Sequence, residues 1–320
     1  MEQHQMQLIP VTDLYGYDKL PVDVFILLDE RFILVVKTGS QSVHIGKFAA
    51  KGVTNFFIRR QDIAFLTQIA ISEANTESGN TASRLQGLHT AMSGVSREIE
   101  MLGFTDETFE HARQVNQVTL NVLAQNPRLI DMVAKIHSMV DGDSAKHSML
   151  VSMLSAMLGI GHGWSKPGTI EKLALSGLLH DVGRTKIPLD LRDKPISSMS
   201  NDERLIYESH GEIGALLLKQ VKSVPDDVLL AVHEHHELAD GSGYPRKIKD
   251  LHTSPLARVV SLADFIAEEL DLLQNADGGA DAKLKMSMVV DKVLSRSRMF
   301  NKEAIGALQK IAPRGLLKTG

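Results

Sequence analysis

The chain is expected to be mainly α-helical, with a small α/β module at its N-terminus. Three observations predict this. Strand-length runs rich in Val, Ile and Phe fall before residue 60. From about Leu85 onward, apolar residues recur at three- and four-residue spacing in one segment after another. Between them, Glu73 to Arg84 is polar and rich in Ser, Thr, Asn and Gly, which suits a linker. At 320 residues the chain exceeds one ordinary core. We therefore expect an α/β module over 1–75, a helical linker region over 76–140 and an all-α bundle over 141–320.

Composition narrows the chemistry. Hydrophobic content of 43% with 23% charged residues is that of a soluble globular protein. A net charge of -4 argues against a general DNA or membrane binder. There is no cysteine, so any metal must be held by His and carboxylates. Met1 to Pro10 lacks a signal peptide's basic-then-apolar layout, and no apolar run is long enough to cross a bilayer. The expected location is cytoplasmic.

In the first half, Val22 to Leu28 and Phe32 to Lys37 read as strands joined at Asp29-Glu30-Arg31. Val43 to Ala50 reads as a short helix, Asn55 to Arg59 as a third strand, and Asp62 to Ala74 as a helix. No catalytic constellation is found there. Arg59 and Arg60 are read as a solvated strand end, and the module as sensory or interacting. Helices follow over about Leu85 to Leu102, Asp106 to Ala124 and Pro127 to Val140, the second capped by Thr105. His89, His111 and His137 have no partner at ligand spacing and are read as packing or surface residues. This helical region is a candidate for pairing with a second copy of the chain.

In the second half, histidines fall where apolar residues belong. Asp143 to Leu158 is a helix with His147 on its apolar stripe and Asp143 one turn earlier. Thr169 to Asp181 reads as the central helix, with Gly177 allowing close approach and His180-Asp181 at its end. Ser200 and Glu203 form a capping box for a helix carrying Ile206, His210, Ile213, Gly214 and Leu217 on one face. Pro225 opens a helix ending in His233-Glu234-His235-His236-Glu237, with Glu234 and Glu237 as candidate partners for imidazole nitrogens. His233 is read as surface. Pro255 to Leu273 carries Asp264 within an apolar stripe, where a carboxylate needs a cation or donors. Asp277-Gly278-Gly279 ends it, and Lys283 to Leu294 and Lys302 to Ile311 close the chain.

One buried His is usually structural. Five histidines and two carboxylates at helix ends or on inward stripes point instead to a metal site. Without thiolates the donor set suits iron, manganese or a similar divalent ion. Seven ligands exceed the needs of one ion, so two are expected. Such a pair generates hydroxide near neutral pH and stabilises both oxygens of a phosphoryl displacement.

His180-Asp181-Val182-Gly183-Arg184, followed by His235-His236-Glu237-Leu238-Ala239-Asp240-Gly241-Ser242-Gly243-Tyr244-Pro245, resembles the HD-GYP family. That family comprises HD-domain phosphohydrolases that act as cyclic di-GMP phosphodiesterases in bacterial signalling. The resemblance covers roughly Asp141 to Ile311 and implies an HD-domain helical bundle. It implies that His147, His180, Asp181 and Asp264 hold one metal. Asp181 would bridge to a second held by His210, His235 and His236, with Asp143 the candidate ligand of a third. It further implies catalytic roles for Asp181 and Arg184, substrate contacts from Arg184, Lys186, Tyr244 and Arg246, and contact of the Gly-Tyr-Pro loop with diguanylate cyclase domains. Three departures stand out. Arg184 replaces the family's phosphate-contacting Lys, Ala267 replaces a second Asp, and an Arg-Pro-Tyr stretch after that helix is absent. These departures motivate two rival readings: a weakly active or inactive scaffold that binds cyclic di-GMP or a partner, and a phosphohydrolase of another nucleotide.

Overall fold

Four short strands come first in the computed structural model, which describes residues 5–9, 11, 14, 17–53, 55–76, 80–126, 128–137, 144–192, 194–276 and 281–312. They are β1 (Met6–Ile9), β2 (Val24–Leu28), β3 (Arg31–Val36) and β4 (Phe56–Arg59). All pair antiparallel in the order β1-β4-β2-β3. β2 and β3 join through Asp29 and Glu30, both with positive φ (46° and 62°), the left-handed pair whose twist suits a tight hairpin. Helices α1 (Val43–Ala49) and α2 (Ile63–Ala74) cover one face. Val24, Phe56, Ile58, Ile45, Ile63 and Leu66 form one apolar cluster there.

β1 is not anticipated by the sequence reading. It lies in a Gln-rich stretch, is only four residues long and is held by β4 alone. Arg59 and Arg60 are not merely solvated. Arg59 pairs with Asp23 at 2.9 Å, and Arg60 donates to the Met101 carbonyl, so both tie strand β4 to neighbours.

The helical part comprises α3 (Thr81–Leu102), α4 (Asp106–Gln125), α5 (Leu129–His137), α6 (Ser144–His162), α7 (Pro167–Leu179) and the single turn α8 (Leu189–Arg192). After these come α9 (Asn201–Glu208), α10 (His210–Leu218), α11 (Asp226–Glu234), α12 (Pro255–Ala276), α13 (Ala282–Ser295) and α14 (Lys302–Ile311). One apolar cluster runs from Ala70 of α2 to Ala312. α2 therefore joins both cores, its first turn in the small cluster and its last in the large one.

Several boundaries differ from expectation for local reasons. α3 starts inside the polar stretch read as linker, because the Asn80 side chain accepts from the Ser83 amide at 2.9 Å and caps it. The capping box at Ser200 and Glu203 is present, but the helix breaks at Ser209. Ile206 is exposed rather than on the His210 face. α6, not α7, is the hub: every residue from Ala145 to Gly159 except His147 is buried. α7, α12 and α14 pack on it. At Gly177 an added Cβ would lie 2.8 Å from both Ser155 Oγ and the Val151 carbonyl, so α6 and α7 cross as closely as glycine allows. Asp143 and Asp277-Gly278-Gly279 lie outside the described residues. No helix among the described residues is long and apolar enough to cross a membrane.

Candidate metal centre

All the ligand candidates but Asp264 sit where a helix begins or ends. His147 is on the first turn of α6. His180 and Asp181 follow the last turn of α7, and His210 opens α10. His235 and His236 follow α11, and Asp264 lies mid-way along α12. The fold brings all seven together. Asp181, His210, His235 and His236 form one group whose ligand atoms lie within 4.8 Å of one another; His147, His180 and Asp181 form another, and His180, His235 and Asp264 a third. Asp181 belongs to both of the first two.

Three of the imidazoles are oriented by the same local device. The Nδ1–H of His180 donates to the Gly177 carbonyl at 2.8 Å, that of His210 to Tyr207 at 2.8 Å, and that of His235 to Val232 at 2.7 Å. In each case the acceptor is a backbone carbonyl three residues earlier, near the end of the preceding helix. With Nδ1 protonated, the neutral ring presents its Nε2 lone pair inward. The Nε2 atoms of His210 and His235 then face each other at 3.2 Å with no proton between them. The Nε2 of His180 is buried and has no hydrogen-bond partner. Facing lone pairs and an orphaned buried acceptor are unfavourable unless a cation receives them. The donor set of imidazoles and carboxylates fits divalent ions of the iron or manganese type.

Charge in the cluster is arranged around the two aspartates. Burial opposes ionisation of Asp181, but Arg184 and His180 outweigh it and hold its carboxyl well below the usual range. Burial likewise opposes ionisation of Asp264, but the hydrogen bond from His147 and the nearby His180, at 3.5 Å, outweigh it and its carboxyl is also held far down. Burial opposes protonation of His147, yet its bonds to Asp264 (3.1 Å) and Asp271 (3.4 Å) push it up to about 10. His236 is driven down to about 3 by burial and by His210, and burial lowers His210 and His235 too. Against its burial, Asp181 and Asp264 raise His180 as well. Two carboxylates and the neutral imidazoles of His210, His235 and His236 are ligand states a cation requires.

Sequence reading missed Asp271 and Glu268. Asp271 orients His147 from the ring's far side. Burial and the nearby Asp264 push the Glu268 carboxyl up to about 8. The signal was available, since Asp264, Glu268 and Asp271 recur at helical spacing on α12 and so share its face. Ala267, by contrast, is fully buried.

The outer contacts differ in part from expectation. Arg184 Nη1 donates to Asp181 Oδ2 at 2.9 Å and Nη2 to the Arg192 carbonyl at 2.8 Å, while its guanidinium lies over the Tyr207 ring. Tyr244 stacks on His236 with centroids 4.5 Å apart. Lys186 is exposed on the turn after Asp181. Arg246 is bound to Glu234 through Nη2, with about half of its side chain exposed. Nor do Glu234 and Glu237 support imidazoles. Glu234 also accepts from the Ser254 amide, and Glu237 accepts from the amides of Arg246 and Ile248 at 2.6 and 3.0 Å. The two acids anchor the Gly-Tyr-Pro loop, whose conformation includes Gly241 at φ 82°. His233 is half-buried and belongs to none of the ligand groups. His111 has a carboxylate partner after all, Glu98 on the preceding helix, at 3.0 Å. The two are thirteen residues apart, beyond any single-helix spacing rule.

Residues 119–291 match the family model described as HD domain. A cyclic di-GMP phosphodiesterase of Pseudomonas aeruginosa, PA4108, is 27% identical over 201 residues, 62% of this chain and 46% of that protein. The 3'3'-cGAMP-specific phosphodiesterase 1 of Vibrio cholerae is 32% identical over 96 residues, 29% of this chain and 21% of that protein. The chain thus spans less than half the length of these curated relatives. Among solved structures, Bd1817, a HDG"Y"P protein from Bdellovibrio bacteriovorus, superposes with a TM-score of 0.68 at 19% identity, covering 96% of this chain and 98% of that one. That likeness concerns the fold.

Proposed function

The chain belongs to the HD domain family, with the HD-GYP type of fold, and from that premise we propose that it is a metal-dependent phosphodiesterase that opens cyclic di-GMP. The observation that carries the reading is the pair of inward Nε2 lone pairs of His210 and His235, 3.2 Å apart beside the ionised Asp181. The similarity to phosphodiesterases of cyclic di-GMP and of 3'3'-cGAMP supports a cyclic dinucleotide as substrate.

His147, His180, Asp181 and Asp264 would hold one ion, and Asp181, His210, His235 and His236 a second. A bound pair of iron or manganese ions would supply hydroxide near neutral pH and positive charge for both oxygens of the displacement. The residues of the chain do the rest. Asp181, kept ionised by Arg184, offers one oxygen toward His180 at 3.6 Å and the other toward His210 at 3.3 Å, so it faces both halves of the cluster. Arg184 stands beside it, where its fork meets phosphate oxygens as the 3′-oxygen leaves and linear pGpG forms. Tyr244 shields His236 and forms the rim, and the loop beyond it is the candidate contact for cyclase domains.

Purified full-length protein loaded with Mn²⁺ or Fe²⁺ should convert cyclic di-GMP to pGpG, read by chromatography. Intact substrate after prolonged incubation overturns the proposal. One observation favours the rival reading of a binding protein with little turnover: Arg184 folds back onto Asp181 and the Arg192 carbonyl. Arg184→Lys separates the two. A large gain in turnover at unchanged affinity identifies a weakened enzyme; no gain in a protein that binds but does not cut identifies a scaffold.

A further inference from the structure

A cavity of about 240 Å³ opens beside Asp181 and Arg184 and runs away from the metal ligands to helix α3. Its walls are apolar where Ile99, Leu178 and Leu189 face it, and Glu100 of α3 stands on its lining with Arg192. Resting on the cyclic-dinucleotide reading, we propose that this cavity seats a guanine base of the substrate and that Glu100 reads it.

The position suits a nucleoside whose phosphate lies at Asp181 and Arg184, because the same cavity touches both the reacting end and Glu100. The volume suits one flat purine, and aliphatic walls suit its faces. The polar partner then decides which purine. Guanine presents two adjacent donors, N1–H and the N2 amino group, which a carboxylate can accept together. Adenine presents an N1 acceptor on that edge, and a carboxylate repels it. Glu100 is held for this task. Its Oε1 accepts from Arg192 Nη1, and no hydrogen bond reaches Oε2 among the described residues. Arg192 is itself fixed by bonds to the Thr185 carbonyl (2.6 Å) and the Ile187 carbonyl (2.9 Å). The acid, on α3, is therefore tied through Arg192 to the braced segment that also carries Arg184.

Glu100 is about 40% exposed as a side chain, so water dilutes but does not erase the discrimination. A charged hydrogen bond of this kind corresponds to roughly a tenfold or greater preference. The test compares the full-length protein with Glu100→Gln, which keeps an acceptor for Arg192 but replaces the second carboxylate oxygen by a donor. GMP and AMP are titrated by calorimetry, and cyclic di-GMP and cyclic di-AMP are assayed with the Mn²⁺-loaded protein. The expected result is at least a tenfold preference for GMP in the natural protein, falling to about threefold or less in Glu100→Gln. A second variant, Leu189→Trp, narrows the cavity from an exposed position and should weaken both nucleotides while leaving Mn²⁺ affinity unchanged. An unchanged GMP:AMP ratio in Glu100→Gln, no preference in the natural protein, or full nucleotide affinity in Leu189→Trp overturns the inference. Failure to cut any cyclic dinucleotide overturns the phosphodiesterase proposal instead, and the nucleotide titrations still decide the role of Glu100.

Discussion

Gly183 gives the sharpest perturbation of the proposed metal centre without replacing a ligand. It lies in the 3-10 turn Val182–Lys186, two residues after Asp181. A Cβ placed there would lie 1.9 Å from the His210 carbonyl oxygen, 2.6 Å from the Gly214 nitrogen and 2.9 Å from the His210 carbonyl carbon. Real Cβ contacts are essentially never closer than 3.0 Å. Gly183→Ala must therefore separate the turn from α10 by more than about 1 Å. The turn follows Asp181 and α10 starts with His210, whose Nε2 is 3.3 Å from Asp181 Oδ1. Metal–ligand distances tolerate only about 0.2 Å. The predicted shift is several times larger, so the ion held by Asp181 and His210 should lose at least about 100-fold in affinity. Overpacking should also lower stability by about 1–3 kcal/mol. Mn²⁺ titration and a thermal melt of the metal-free protein read the two effects separately. Gly168→Ala serves as the control, since nothing lies within 4 Å of its added Cβ. Gly183→Ala with natural Mn²⁺ affinity and melting temperature refutes the reasoning.

Asp271→Asn removes the carboxylate that orients His147 through Nδ1 and should weaken metal binding about 10- to 100-fold. Its melting temperature with metal removed should change far less; an unaltered Mn²⁺ titration counts against the role assigned to Asp271. The buried His111–Glu98 pair makes stability pH-dependent. Its hydrogen bond to Glu98 outweighs burial and raises the His111 pKa above the unfolded value of about 6.5. The pair's stabilisation is therefore fully present below about pH 6.5 and is lost as pH rises through the folded value. His111→Ala should cost about 3–5 kcal/mol at pH 6 and less at pH 9, measured by urea unfolding. A pH-independent difference contradicts the assignment.

The candidate ligands were legible because imidazoles and carboxylates stand at helix ends or where helical periodicity asks for an apolar residue. His210 and Asp264 are the plainest cases. Gly177 was legible as a close approach for the same reason, since it interrupts an otherwise apolar run; the tighter approach at Gly183 was not read. What escaped the sequence depends on pairings between distant elements. Strand β1 exists only because β4 accepts it, and Glu98 finds His111 only because α3 and α4 pack side by side. The roles of Glu234 and Glu237 were misread for a related reason. Proximity in sequence to His235 suggested imidazole partners, but the chain turns back at Gly243 and delivers their carboxylates to loop amides and to Arg246. The start of α3 was hidden by a first turn of exposed polar residues, which carry no periodic signal.

The central claim is that one carboxylate, Asp181, is shared by two ions. Anomalous diffraction at the Mn and Fe edges on crystals grown with metal, with elemental analysis of the same sample, tests it most directly. The account predicts two ions per chain in the natural protein, both touching Asp181, and loss of both in Asp181→Asn. Metal-saturated protein that binds no ion within reach of Asp181, or an Asp181→Asn variant that keeps both ions, contradicts it.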